Sequence, residues 1–302
     1  MSVLDGKQFH DDEAARAYLE SIRWPNGPVC PHCGGFERIN KLHGKSHRPG
    51  LYKCYDCRSQ FTVTVGTLFE RSRIPLHKWF QAVYFLCSSK KGMSSHQLHR
   101  MLEVTYKTAW FMTHRIREAM RDGTLAEKMG AGGGAVEVDE TFWGNKKPRG
   151  QKKGRGYAHK EKILSLVERE GRVYSHHVPD VTAATLKPIL KNQIHAEARV
   201  MTDEAGQYVR LHEDFPAHGR VTHSIGEYVR GDVHTNTIES YFAIMKRGLN
   251  GTYHHVGRQH LKRYLSEFDF RYNYRKIEDV DRMVAALRGI EGKRLFYSAT
   301  LN

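Results

Sequence analysis

The spacing of apolar positions changes character along the chain. Residues 12 to 23 open with acids, close with an arginine and set Ala15, Tyr18, Leu19 and Ile22 on one helical face, before Trp24-Pro25-Asn26-Gly27 stops the helix. FTVTVGTLFE (61–70) alternates as a strand does, and PLHKWFQAVYFLCSSKK (75–91) reads as a helix broken at Gly92. Ser94 with Gln97 three residues later forms a capping box for a helix with an apolar stripe of Leu98, Met101 and Leu102. After the turn EVT, residues 106–120 turn Ala109, Met112, Ile116 and Met120 inward and leave Tyr106, Lys107, His114, Arg115 and Arg117 outward. This is a helix-turn-helix-like order, although a helical hairpin that only packs would show the same pattern.

Past a glycine-rich stretch ending GAGGGA, the period shifts to two. Val136 and Val138 alternate with Glu137 and Asp139, which predicts a half-buried strand ending before Gly144. KILSLVERE and RVYSHHV follow as strands joined at Glu170-Gly171-Arg172, then AATLKPILKNQI as a helix with Pro188 at a kink or late start. ARVMTDE is the fourth strand, AGQYVRLHEDF is helical in tendency, and VTHSI is a short fifth strand. Three amphipathic helices complete the pattern: NTIESYFAIMKR, RQHLKRYLSEFDFRYNYR and DVDRMVAALRGI, the last two expected to pack on the sheet. The expected boundaries are 1–70, 71–122, a linker at 123–134, 135–275 and 276–302.

Charge narrows the partners. A formal net charge of +15 implies a polyanion, because Lys and Arg release counterions from a phosphate backbone, but it does not separate DNA from RNA or an acidic lipid surface. Residues 144–160 carry seven lysines and arginines, Lys146, Lys147, Lys152 and Lys153 among them, and no acid, as expected of a loop that lies on phosphates. No run of 18 apolar residues occurs and the mean hydropathy is −0.62, which excludes a membrane-spanning helix. The N-terminal stretch has no secretory signal pattern, so a cytoplasmic, nucleoid-associated protein is expected.

Of five cysteines, four fall in two C-x-x-C knuckles, Cys30/Cys33 and Cys54/Cys57, separated by 20 residues. Each knuckle supplies two thiolates, and together they predict one structural zinc in a four-cysteine ribbon, with His32, His43 and His47 left over because the shell is full. Cys87, inside the apolar run AVYFLC, is expected to be a buried inert thiol.

Three acids are the candidate chemistry. Asp139 and Asp203 each end a predicted strand and Glu239 lies on a helix, at separations of 203 − 139 = 64 and 239 − 203 = 36 positions. Hard carboxylate oxygens suit magnesium, and three can hold two ions about 3.5–4 Å apart, which together activate an attacking hydroxyl and stabilise the leaving oxygen at phosphorus. Lys246, seven residues beyond Glu239, returns to nearly the same helix face and can meet a phosphate. Asn236 and Arg247 lie on or beside the same polar side.

Asp139, Asp203 and Glu239 with Lys246 resemble the DDE signature of insertion-sequence transposases. The strings VEVDETFWG, VMTDE, HTNTIESYFAIMKRGLNGTYHHV and HLKRYLSEFDFRYN are similar to the ISXO-type branch that carries an N-terminal zinc ribbon; the resemblance covers about residues 12 to 275. It implies an α/β fold with an RNase H-like catalytic domain, the first and fourth strands side by side, behind the ribbon and the helix-turn-helix-like region. It implies Asp139, Asp203 and Glu239 as ligands of two magnesium ions, manganese being the possible substitute, and Lys246 as a contact to the element's end. Asn236 is left open as a sharer of the Glu239 role. Asn236, Arg247, Lys107, Arg115 and the 144–160 lysines are the further expected DNA contacts. The expected activity is cleavage of terminal inverted repeats in double-stranded DNA and strand transfer to a target, by a homo-oligomer. The alternatives are an inactive DNA-binding relative and another RNase H-like nuclease.

Overall fold

The computed structural model describes residues 3–121, 127–144, 157 and 159–300. It forms two compact units, residues 1–121 with 276–302 and residues 122–275. No helix among the described residues is long and apolar enough to cross a membrane.

In the first unit, α1 (Asp12–Arg23) is capped by Asp11, whose carboxylate accepts from the Ala14 amide at 2.7 Å. A three-stranded antiparallel ribbon follows: β1 (Ile39–Lys41), β2 (Tyr52–Cys54) and β3 (Gln60–Phe61). The strand predicted over 61–70 stops at Phe61. The threonines turn the chain back on itself, Thr67 Oγ1 donating to the Thr64 carbonyl at 2.6 Å and the Thr67 amide to the same oxygen at 3.2 Å, so local bonds replace a ladder.

Helices α2 (Leu76–Ser88), α3 (Ser95–Leu102) and α4 (Tyr106–Ala119) follow, with Ser94 and Thr105 accepting from amides at the starts of α3 and α4. Glu103, in the left-handed region at φ 53°, makes the tight turn between α3 and α4. Leu98 and Leu102 are buried as expected, whereas Met101 is exposed. On α4, Tyr106 is exposed, but His114 and Arg117 are buried, contrary to the outward reading. They lie beside Thr113, itself buried, and Arg117 Nη1 donates to its hydroxyl at 3.0 Å, so this helix buries a wider arc than its apolar stripe. The C-terminal α8 (Asp279–Arg288) packs on α2, α1 and α4 of this unit rather than on the sheet. Cys87 is buried, its thiol 3.8 Å from the Arg282 carbonyl.

The second unit is built on a five-stranded mixed sheet made of β4 (Ala135–Trp143), β5 (Glu161–Glu168), β6 (Val173–Val178), β7 (Arg199–Thr202) and β8 (Gly219–Arg220). Their order is β6-β5-β4-β7-β8, with β4 antiparallel to β5 and parallel to β7. α5 (Ala183–Gln193) covers one face, where Val136, Val138, Leu164, Leu166 and Val200 meet Leu186 and Leu190. A short hairpin, β9 (Val229–Arg230) and β10 (Val233–His234), precedes α6 (Asn236–Gly248) and α7 (Arg258–Asn273), whose apolar sides cover Ile163, Val167 and Val173 on the other face. This is the RNase H-like α/β fold. The helix anticipated from AGQYVRLHEDF is two 3₁₀ turns, and the fifth strand sits at 219–220, just ahead of VTHSI.

The glycines before β4 are a tight turn on the sheet. Met129 is buried, its amide donating to the Gln193 carbonyl at 2.7 Å, and Gly130 (φ 78°) lies so close to Ala198 that an added Cβ would sit 2.4 Å from that side chain.

Candidate active site and zinc cluster

Strand pairing sets the acids. In the parallel ladder Ala135 faces Arg199, Val136 faces Val200 and Glu137 faces Met201, each pair offset by the same 64 positions that separate Asp139 from Asp203. By that offset Asp139, inside β4 and not at its end, and Asp203, one residue past the end of β7, fall at the same level of adjacent strands. Asp203 is held by a local turn, accepting from the Ala205 amide at 3.0 Å. Asp139 belongs to the α6 face of the sheet, because its neighbour Val138 packs on the α5 side.

Glu239 lies in the first turn of α6, half-exposed, accepting from Thr235 Oγ1 at 3.0 Å and lying 3.9 Å from His223 Nε2. What fixes this helix end is a residue that sequence reading placed only on a strand's polar face. Glu137 is fully buried and accepts from the backbone amides of Thr237 and Ile238 at 2.9 and 3.0 Å and from Thr237 Oγ1 at 2.9 Å. Arg169 Nε lies 2.8 Å from the same carboxylate. A charged group thus satisfies the orphan amides of the helix that carries Glu239, two residues along the strand from Asp139. The only signal in the sequence was an acid in a strand at the spacing of Asp139.

The electrostatics are those of an uncompensated anionic site. Burial pushes the Asp139 carboxyl up to about 8, and the neighbouring charges of Asp203, Glu140 and Glu239 push the same way. Glu140, also missed by sequence reading, emerges on the α5 face, where Tyr208 Oη and Gln207 Nε2 donate to it; burial lifts it to about 7 against the lowering effect of the Tyr208 hydrogen bond. Among the described residues no cation lies within 4 Å of Asp139 or Asp203. Mutually repelling hard oxygens without a basic partner are a donor set that suits divalent cations. The three acids are more openly spaced than the thiolates: among the described residues, only the cysteines bring three or more ligand atoms within 4.8 Å of one another.

On the rest of α6, Asn236 is exposed at the first turn, Lys246 is half-exposed, and Arg247 is exposed with its Nε on the Ala243 carbonyl at 3.1 Å. Lys107 and Arg115 belong to the other unit. Lys146, Lys147, Lys152 and Lys153 lie outside the described residues.

The four cysteines converge. Sγ of Cys30 is 3.6 Å from that of Cys57, and Cys33 is 3.7 Å from Cys54. A tetrahedron with Zn–S bonds of about 2.3 Å has edges of about 3.8 Å, so the cluster fits one structural zinc. Hydrogen bonds from Ser59 pull the Cys57 thiol down to about 6, while Cys33, against the lowering bond from Gly35, is held up to about 12 by its bonds to the other thiols and by burial, so the metal-free cluster keeps protons that a bound ion would displace. We expect one zinc per chain by metal analysis. Cys54→Ser is expected to lose it together with the ribbon's protection from proteolysis, since zinc binding in such small folds is worth roughly 10–16 kcal/mol; a variant that keeps a full equivalent would refute the site.

Two family models match the segments in which these residues lie. The model of the ISXO2-like transposase domain matches residues 132–273, and that of the transposase zinc-ribbon domain matches residues 10–60. The chain is 32% identical over 282 residues to an uncharacterized protein in transposable element ISH50 of Halobacterium salinarum, covering 88% of this chain and 92% of the relative. It is 29% identical over 107 residues to an uncharacterized transposase-like protein of Haemophilus influenzae, covering 35% of this chain and 85% of that one.

Proposed function

From the premise that this chain belongs to the ISXO2-like insertion-sequence transposases with a zinc ribbon, we propose that it cuts the terminal inverted repeats of its element and joins the freed ends to target DNA. Asp139, Asp203 and Glu239 are the catalytic carboxylates. The observation that supports this reading is the equal offset of 64 between paired positions of β4 and β7, which sets Asp139 and Asp203 at one level of adjacent strands, with no cation within 4 Å of either among the described residues.

Two magnesium ions would supply the nucleophile-activating and leaving-group-stabilising charge. Asp139 presents its oxygens from within β4, Asp203 from the turn that follows β7 and Glu239 from a helix start. Glu137 is a positioning residue that holds that start in place through Thr237 and Ile238. Lys246, Arg247 and Asn236, along the exposed side of α6, meet phosphates of the bound end, and Lys146, Lys147, Lys152 and Lys153 of the basic stretch add non-specific grip. The ribbon and the α3–α4 pair read the repeat, and a homo-oligomer holds both ends. The unit formed by 1–121 and 276–302 is accordingly the DNA-reading half, subdivided near residue 70, and 135–275 the catalytic half.

The test is cleavage of labelled duplexes taken from the DNA on each side of the gene. Magnesium-dependent nicking and strand transfer into a plasmid are expected. Asp203→Asn should lower the rate about a thousandfold or more, because a metal site contributes several kcal/mol and each 1.36 kcal/mol is tenfold. Specific binding of these duplexes with no cutting in magnesium or manganese would instead make the chain an inactive binder.

A further inference from the structure

In the unit that contains the ribbon, residues 71–74, α4 and the tail around Tyr297 enclose a cavity of about 290 Å³. Its walls carry Arg71, Arg73, Lys107 and Arg115 and no carboxylate. Its remaining lining is largely apolar and includes the rings of Trp79, Phe111 and Tyr297. Lys107 Nζ stands 4.5 Å over the Tyr297 ring and the Arg115 guanidinium 4.7 Å over Phe111. Arg115 is anchored by a 3.4 Å bond to the Leu295 carbonyl, and its buried Nε has no hydrogen-bond partner.

Charge in this corner is not balanced. Glu70 is set against Arg71 at 3.7 Å and Arg294 at 3.6 Å, whereas no carboxylate lies within 4 Å of Arg73 or Lys107 among the described residues. Burial, with Arg294 nearby, lowers the pKa of Arg115 against the opposing charge of Glu70. A second cavity of about 510 Å³ shares Arg71, Ser72, Arg73, Ile74 and Trp79 and continues toward Arg48 and toward Arg16, the latter paired with Asp12 at 3.3 Å.

Cations above aromatic faces are the combination that binds a phosphate with a flat ring attached. The smaller cavity is far too small for a duplex, whose major groove alone is about 12 Å wide. We propose that it receives one unstacked nucleotide of a DNA strand, its phosphate on Arg73 and Lys107 and its ring against Tyr297 and Phe111. Lys107 and Arg115 then act inside a pocket instead of on the open face of a recognition helix. The proposal rests on the DNA-binding part of the function above and not on its metal chemistry.

The test uses the full zinc-loaded chain without magnesium, titrated with a labelled single-stranded oligonucleotide and with the same sequence as a blunt duplex. The Arg73→Ala/Lys107→Ala variant is expected to weaken single-strand binding and to reduce the slope of log affinity against log salt by about 0.7 per lost phosphate contact. Tyr297→Ala should weaken it about 5- to 150-fold, the worth of one stacked base, and Tyr297→Phe should restore it, which separates loss of stacking from misfolding. Duplex affinity should change less, and Lys91→Ala, on an exposed loop, should behave as wild type. Unchanged single-strand affinity, or equal losses for strand and duplex, would overturn the pocket while leaving the transposase reading standing. A wild-type chain that binds neither probe would count against both.

Discussion

Asp139→Asn is expected to be inactive and yet, without metal, more stable than wild type at pH 8. The folded carboxyl titrates near 8 against an ordinary value of 3.8, because of burial first and then the charge of Asp203. Between those two values the folded chain keeps a proton that the unfolded chain releases. Stability from this group therefore falls as pH rises through the window and is lowest above pH 8. The neutral amide removes that slope, leaving the weaker one from Glu140 near pH 7. Each kcal/mol recovered should raise the melting temperature by about 2–4 °C in a unit of this size. Magnesium should do the reverse, stabilising wild type at pH 8 by about 2.7 kcal/mol at a hundred times its Kd and the variant far less. Calorimetry at pH 5.5 and 8, with and without magnesium, reads both effects. A variant that melts below wild type at pH 8, or gains equally from magnesium, would remove Asp139 from a shared anionic site.

Glu137→Ala carries the largest expected loss of stability. It removes the counter-charge of Arg169, whose Nε is 2.8 Å from the carboxylate and whose other nitrogens reach only the carbonyls of Asp232 and His234, and leaves the amides of Thr237 and Ile238 without their acceptor inside the protein. Removing one partner of a buried ion pair costs about 3–5 kcal/mol. Urea unfolding should show this as a lower midpoint for the catalytic unit. Glu137→Gln keeps the shape and one acceptor oxygen, so about half the loss is expected, on the order of 1.5–3 kcal/mol. If Glu137 also sets the position of Glu239, this folded variant should need more magnesium for half-maximal cleavage. An alanine variant with an unchanged midpoint would show that α6 is held by other contacts.

How far these centres can be read from residue order depends on whether the contact is local. The two knuckles are legible because each C-x-x-C turn makes its own pair of ligands. That Asp139 lies on a strand is legible because Val136 and Val138 announce one, and that Lys246 shares a helix with Glu239 because seven residues is a helical period. Glu137 is not legible in the same way: its partners are 100 and 101 positions away, and nothing around it distinguishes a cap for a distant helix from a solvated strand acid. His114 and Arg117 mislead for a related reason, since polar residues on a basic helix look outward until the neighbours that bury them are known. FTVTV misleads through its threonines, whose hydroxyls bond nearby and stop the ladder at Phe61. Alternation marks the strands one by one and the family resemblance supplies their RNase H-like arrangement, while the short β8 is displaced by two residues because a two-residue strand has no period.

The constant offset between β4 and β7 makes the chain tolerant of one kind of change and brittle to another. Residues added or removed between strands, at 179–182 for instance, fall outside the β4–β7 pairing, so both acids stay level. Loss of a single residue inside Arg199–Thr202 would instead swing Asp203 through to the opposite side of the sheet, toward Tyr208 and Phe215. An engineer wishing to change what this transposase-family chain grips can work in the segments between strands, but the spacing within the four residues of β7 has to be left as it stands.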